Sequence, residues 1–142
     1  MPLTSEEKRA RLETVPLFRD CSGEVLDRLA AVTAEFAFGS DAPIVQQGQV
    51  GNGLYVIVSG GARIVAGSDE LARLGPGDFF GELSVIDQRP RAATAYALGE
   101  TVCLALASWD LVALLERDPA LAMNLLRELA RRLREADAQL RH

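Results

Sequence analysis

Residues 77–94 read Gly77-Asp78-Phe79-Phe80-Gly81-Glu82-Leu83-Ser84-Val85-Ile86-Asp87-Gln88-Arg89-Pro90-Arg91-Ala92-Ala93-Thr94, and the reading of this stretch decides that of the whole chain. It sets a glycine and a carboxylate at the mouth of a short helix. Nine residues after Glu82 comes Arg91, followed by small residues. Backbone N–H groups at a helix start attract an anion without any side chain. Gly81 has no Cβ, so a ligand can come close to the backbone there. Glu82 offers acceptors for a sugar hydroxyl. Arg91 offers a planar, permanently charged donor fork for phosphate oxygens, and Ala92 and Ala93 leave room beside it. Taken singly, these residues also suit a tight turn with a surface glutamate and arginine. Taken together, at this spacing, they suit a small ligand with one phosphate charge and one ribose hydroxyl.

The run Phe80-Gly81-Glu82-Leu83-Ser84-Val85-Ile86, a three-residue loop, then Pro90-Arg91-Ala92-Ala93-Thr94 resembles the phosphate-binding cassette of the cyclic nucleotide-binding domain family. That family includes protein kinase A regulatory subunits, cyclic-nucleotide-gated channels and catabolite activators. The segment from Gln46 to Gly60 is similar to the family's first half, and Val15-Pro16-Leu17-Phe18 to its link between N-terminal helices and barrel. Gln49 and Asn52 stand where acidic residues are common, and Gly61 where a β-branched residue is usual. Neither change touches the ligand pattern. The resemblance covers about residues 12–135.

It implies a mainly β fold with flanking helices: an eight-stranded jelly-roll β-barrel (a double-stranded β-helix) with N-terminal helices and two C-terminal helices. It also implies a cyclic nucleotide ligand rather than a cofactor, with contacts from Phe80, Gly81, Glu82, Leu83, Ser84, Arg91, Ala92 and Ala93. A threonine in place of Ala92 goes with a guanine base in this family, so Ala92 leans toward cyclic AMP over cyclic GMP. Channel-type relatives carry a lid on the last helix, and Arg132 or Leu133 occupies the matching turn. An arginine there could stack on a purine.

The bulk numbers agree with one small domain. The chain has 142 residues, is 49% hydrophobic and carries a net charge of −5, which is normal for a globular core and unlike a surface built to attract nucleic acid or anionic lipid. Cys21 and Cys103 are too few and too far apart for a disulfide framework. Residues 1–14 are charged and lack the apolar run of a signal peptide. The expectation is a cytoplasmic protein whose partner is a small molecule, with an effector protein left open and no nucleic acid or membrane contact of its own. His142 is the only histidine, so no histidine-assisted nucleophile can form inside the fold, and a metal-binding jelly roll would lack its ligands. The chain therefore reads as no enzyme. It reads as a free-standing sensor, as the regulatory part of a channel, transporter or kinase-like protein, or as a degenerate domain kept for interaction.

Along the chain, residues 1–34 read as helical, 35–107 as the barrel and 108–141 as C-terminal helices, within one domain over 1–142. Ser22 is a plausible N-cap for a helix over 22–34. Ile44-Val45, Leu54–Val58, Ala62–Ala66, Leu71–Leu74, Ala93–Leu98 and Thr101–Leu106 are the clearest strands, separated by glycine-rich turns. A short helix over Trp109–Arg117 ends before Pro119, which opens a long helix to about Leu140. Its Ala122, Leu126, Leu129, Leu133, Ala136 and Leu140 follow heptad-like intervals. The seam is under three heptads long, and its first part must touch the barrel. The expected assembly is a monomer or a weak homodimer through this helix. Glutamates interleaved with the helix arginines predict a solvated, salt-bridged face.

Overall fold

Helix capping sets the entry to the fold. In the computed structural model, which describes residues 2–51 and 53–140 and leaves out the side chains of 83, 84, 139 and 140, Thr4 forms a capping box with Glu7 at the start of α1 (Ser5–Glu13). Ser22 accepts from the Val25 N–H and opens α2 (Gly23–Val32). These caps satisfy N–H groups that a helix start leaves without partners. Between the helices Val15, Leu17 and Phe18 are buried, so the apolar link is part of the core.

Eight strands follow among the described residues: β1 (Ala34–Phe38), β2 (Pro43–Val45), β3 (Gly53–Ser59), β4 (Ala62–Ala66), β5 (Asp69–Leu74), β6 (Phe79–Phe80), β7 (Thr94–Ala97) and β8 (Thr101–Ala107). They form two four-stranded sheets with orders β1-β8-β3-β6 and β2-β7-β4-β5, and every pairing is antiparallel. The mainly β jelly roll with flanking helices is thus the observed fold. Alternation along β3 and β8 explains the layers. Leu54 faces Leu106 and Val56 faces Leu104 across the ladder. These four pack on the helical side with Leu12, Phe18, Leu29, Leu111 and Leu121. The intervening Ile57 and Cys103 join Ile44, Ala62, Ala95 and Ala97 between the sheets. Truncating one of the large buried side chains to alanine costs about 2–5 kcal/mol.

A short helix, α3 (Glu82–Asp87), interrupts the barrel between β6 and β7. The chain ends in α4 (Ser108–Arg117) and α5 (Pro119–Leu140). Trp109, 68% exposed, stands at the start of α4. Asp118 lies between the two helices: its Oδ1 accepts from the N–H groups of Ala120 and Leu121 at 3.0 and 3.2 Å and caps α5. Asn124 donates to Leu17 O and to Asp20 Oδ2, tying α5 to the N-terminal link.

The end of α2 and the buried stripe of α5 differ from the sequence reading. α2 ends at Val32, because Thr33 turns into an extended conformation (ψ 141°) before β1. The stripe of α5 that enters the core is Leu121, Leu125 and the half-buried Leu129, spaced four apart, and not the whole heptad seam. Leu126 and Leu133 of that seam are 60% and 71% exposed, while Leu140 falls outside the described side chains. Among the described residues, no helix is long and apolar enough to cross a membrane.

Candidate ligand site

The strand β6 ends at Phe80, and Gly81 turns the chain into α3 with φ +92°, a region open to glycine. Glu82 is the first residue of α3 and is 5% exposed. Arg91 lies ten residues past Gly81 in the segment that leads into β7. That segment is clamped to the β2–β3 connection: Gly48 N–H donates to Arg91 O at 2.9 Å and Arg91 N–H to Gln49 O at 2.7 Å. The clamp fixes the backbone from which the Arg91 side chain projects.

That side chain is turned inward and is 7% exposed. Its Nη1 donates to Gly81 O at 2.9 Å and its Nη2 to Gly53 O at 2.8 Å. Two glycines make the space. A Cβ on Gly51 would lie 2.0 Å from Arg91 Nε, and one on Gly81 would lie 2.4 Å from Nη1. Burial pushes the guanidinium below its ordinary value, while Tyr55 and Glu82 nearby oppose that shift. A guanidinium starts so high that it stays charged regardless.

Glu82 meets a partner from the far end of the chain. Arg132 Nη1 donates to Glu82 Oε1 at 2.7 Å, and Nη2 donates to Phe79 O at 2.7 Å. The same guanidinium lies 4.5 Å from the Phe79 ring centre. Glu128, one turn earlier on α5, accepts from Arg132 Nε at 3.2 Å and also pairs with Arg131. Arg131, by its hydrogen bond first and then its charge, holds the Glu128 carboxyl below its ordinary value, with Arg132 adding to this. The interleaved charges of α5 are therefore paired as the sequence suggests, and one arginine of the set reaches across to α3.

The structure thus brings Gly81, Glu82, Arg91 and Arg132 together. Ala93 is half-buried and Ala92 exposed in the segment beside Arg91. Phe80 goes elsewhere: its ring stacks on Tyr55 at 5.6 Å and fills the core between the sheets, so only its backbone borders the site. The side chains of Leu83 and Ser84 lie outside the described residues. Arg132 reaches Glu82 and Phe79, whereas the sequence reading aimed it at a base. Sequence reasoning missed Gly51, Gly53 and Phe79, and gave Glu128 only as the partner of Arg132 on a solvated face. The doubled phenylalanine at 79–80 and the Glu128-to-Arg132 spacing were the available signals. Chemically, the arrangement pairs a buried cationic fork with a buried carboxylate at one helix start. Among the described residues, no group of three or more His, Cys, Asp or Glu could hold a metal ion.

The chain is similar to known proteins. The sequence model of one family, the cyclic nucleotide-binding domain, matches residues 35–118. The cyclic AMP receptor protein of Thermus thermophilus is 41% identical over 130 residues, covering 88% of this chain and 60% of that protein. The cAMP-dependent protein kinase type II regulatory subunit of Drosophila melanogaster is 33% identical over 98 residues, covering 66% of this chain and 26% of that protein. The crystal structure of the Thermus thermophilus catabolite activator protein superposes with a TM-score of 0.79 at 42% identity, over 88% of this chain and 61% of the other. This chain therefore spans less than two thirds of the length of each of these relatives.

Proposed function

Because the chain belongs to the cyclic nucleotide-binding domain family, we propose that it binds cyclic AMP, with cyclic GMP as the weaker alternative, and acts as an allosteric sensor rather than as an enzyme. The observation that carries this reading is the pair of buried, oppositely charged side chains, Arg91 and Glu82, on either side of Gly81. Arg91 would take the cyclic phosphate and Glu82 the ribose 2′-hydroxyl. The first N–H groups of α3 have no acceptor within the helix and would complete the phosphate cradle.

The mechanism follows from the partners these groups hold. Phosphate oxygens would replace the carbonyls of Gly81 and Gly53 on the Arg91 fork. Sugar binding at Glu82 would share or displace Arg132. That second exchange couples the site to α5, and through the Asp118 junction to α4. A ligand moves these helices only to the extent that it binds one arrangement better than the other.

The decisive experiment is calorimetric titration with both cyclic nucleotides, after denaturing removal of any co-purified ligand. Saturable binding of cyclic AMP at one site per chain is expected. 2′-Deoxy cyclic AMP and linear 5′-AMP should bind poorly, since one lacks the hydroxyl and the other carries a doubly charged, open phosphate. Ligand at 100 times its dissociation constant adds about 2.7 kcal/mol of stability, so thermal shifts give a second readout. A degenerate domain that binds no nucleotide is the competing reading. It is favoured by the internal pairing of Glu82 with Arg132 and of Arg91 with two carbonyls, and it predicts a flat titration.

A further inference from the structure

Gly51 stands one residue past the bridge between Val50 and Pro90, at the end of the segment that clamps the Arg91 backbone. Its φ lies outside the left-handed region, so the backbone itself does not require glycine there. Gly81, at φ +92°, is the opposite case. What excludes a side chain at Gly51 is Arg91. A Cβ on Gly51 would lie 2.0 Å from Nε, 2.1 Å from Cζ and 2.4 Å from Nη2, and these are its three nearest atoms. The guanidinium thus rests against the bare Cα of Gly51. At Gly60 and Gly61, by contrast, the added Cβ would meet the carbonyl oxygens of Glu100 and Leu74 at 2.4 and 2.7 Å. Glycine serves chain packing at those two positions and a charged side chain at Gly51.

Relieving the overlap at Gly51 means moving one of the two residues. The Arg91 backbone is held, since its N–H donates to Gln49 O and its carbonyl accepts from the Gly48 N–H. The movement therefore falls on the Arg91 side chain. Its fork would leave the oxygens of Gly81 and Gly53, which it meets at 2.9 and 2.8 Å. A guanidinium that loses both acceptors while 7% exposed must turn out toward water.

We infer that Gly51 is a positioning residue: its missing side chain is the slot that fixes the Arg91 fork beside Gly81, in the orientation that meets a phosphate. That the captured group is a phosphate rests on the reading above; the slot itself does not.

A stability cycle and a binding ratio test the two parts. Gly51→Ala should lower the thermal midpoint of the otherwise unchanged chain by about 4 °C. In the Arg91→Ala background it should change nothing, because the side chain it displaces is already gone. Should Gly51→Ala alone fail to fold, a folded double variant would support the slot and an unfolded one would overturn it. For binding, the probes are cyclic AMP and its neutral phosphate methyl ester, titrated calorimetrically. The wild type should prefer the charged ligand, and Gly51→Ala should reduce that preference at least about tenfold, or about 1.4 kcal/mol. A general packing defect would weaken both ligands alike and leave the preference unchanged. An unchanged preference, or an equal fall of the thermal midpoint in both backgrounds, would overturn the inference. If the wild type binds neither ligand, the phosphate role falls with the cyclic nucleotide reading, and the stability cycle still decides whether Gly51 holds Arg91.

Discussion

At Arg91 the guanidinium meets two carbonyl oxygens, those of Gly81 and Gly53, and no carboxylate within ion-pairing distance among the described residues. Carbonyls carry only partial charge, so a phosphate at the same fork would form the stronger, charge-assisted bonds. Removing one side of such a buried contact costs about 2–5 kcal/mol. Arg91→Ala should therefore weaken cyclic AMP binding at least ~30-fold, at about 1.4 kcal/mol per decade. Unchanged affinity in a folded variant would remove Arg91 from the site. Next to it, Ala92 has no hydroxyl to offer a guanine amine. Ala92→Thr should improve cyclic GMP relative to cyclic AMP by a net hydrogen bond, about 0.5–1.5 kcal/mol. A competition titration that finds a strong native preference for cyclic GMP would refute the assignment of Ala92. Arg91, Glu82 and Gly81 were legible in the sequence because their chemistry resides in the residue type. Gly51 and Gly53 were not. One contributes empty space and the other a carbonyl, which every residue has.

Between elements, α5 and α3 are joined by the Glu82–Arg132 pair across fifty residues of sequence. Glu82 is nearly enclosed and the Arg132 side chain is 27% exposed, so the pair is partly desolvated. A double-mutant cycle of Glu82→Gln and Arg132→Ala, followed by urea unfolding, should give an interaction energy of about 1 kcal/mol or more. Additive effects would mean that the contact contributes nothing to holding α5 on the barrel. The sequence revealed α4 and α5 clearly, since Pro119 and the periodic leucines mark both ends. It concealed β6, whose two residues are too short for any alternation to show. It also concealed β1, where Ala34, Phe36 and Ala37 are exposed and the hydrophobic pattern fails to report pairing with β8. The α5 stripe was displaced because leucines fall on two faces of that helix, and only packing against the barrel decides which face is buried.

For the molecule as a whole, the N-terminal segment is tied to the α4–α5 junction, where Cys21 meets Asp118 and Asn124 meets Asp20. Burial first, then the charge and hydrogen bond of Asp118, push the Cys21 thiol up to about 12. The folded state therefore keeps a proton that the unfolded chain releases near pH 9. That contribution is intact below about pH 9 and is lost as pH rises toward about 12. Melting temperature should fall over this range, and Cys21→Ala should flatten the fall. Parallel curves would show that the thiol plays no part. Self-association is set by what α5 leaves exposed. Met123, Leu126 and Leu133 make only a narrow seam, so sedimentation at micromolar concentration should find a monomer or a weak dimer. A tight dimer broken by Leu133→Glu would refute this and place Leu133 at the interface. Trp109 has a separate consequence. It is the only tryptophan of the chain, largely in water, and it sits where β8 hands over to α4. The protein thus carries its own optical reporter at that junction. Its emission and its accessibility to a soluble quencher would register a shift of α4 without any attached dye.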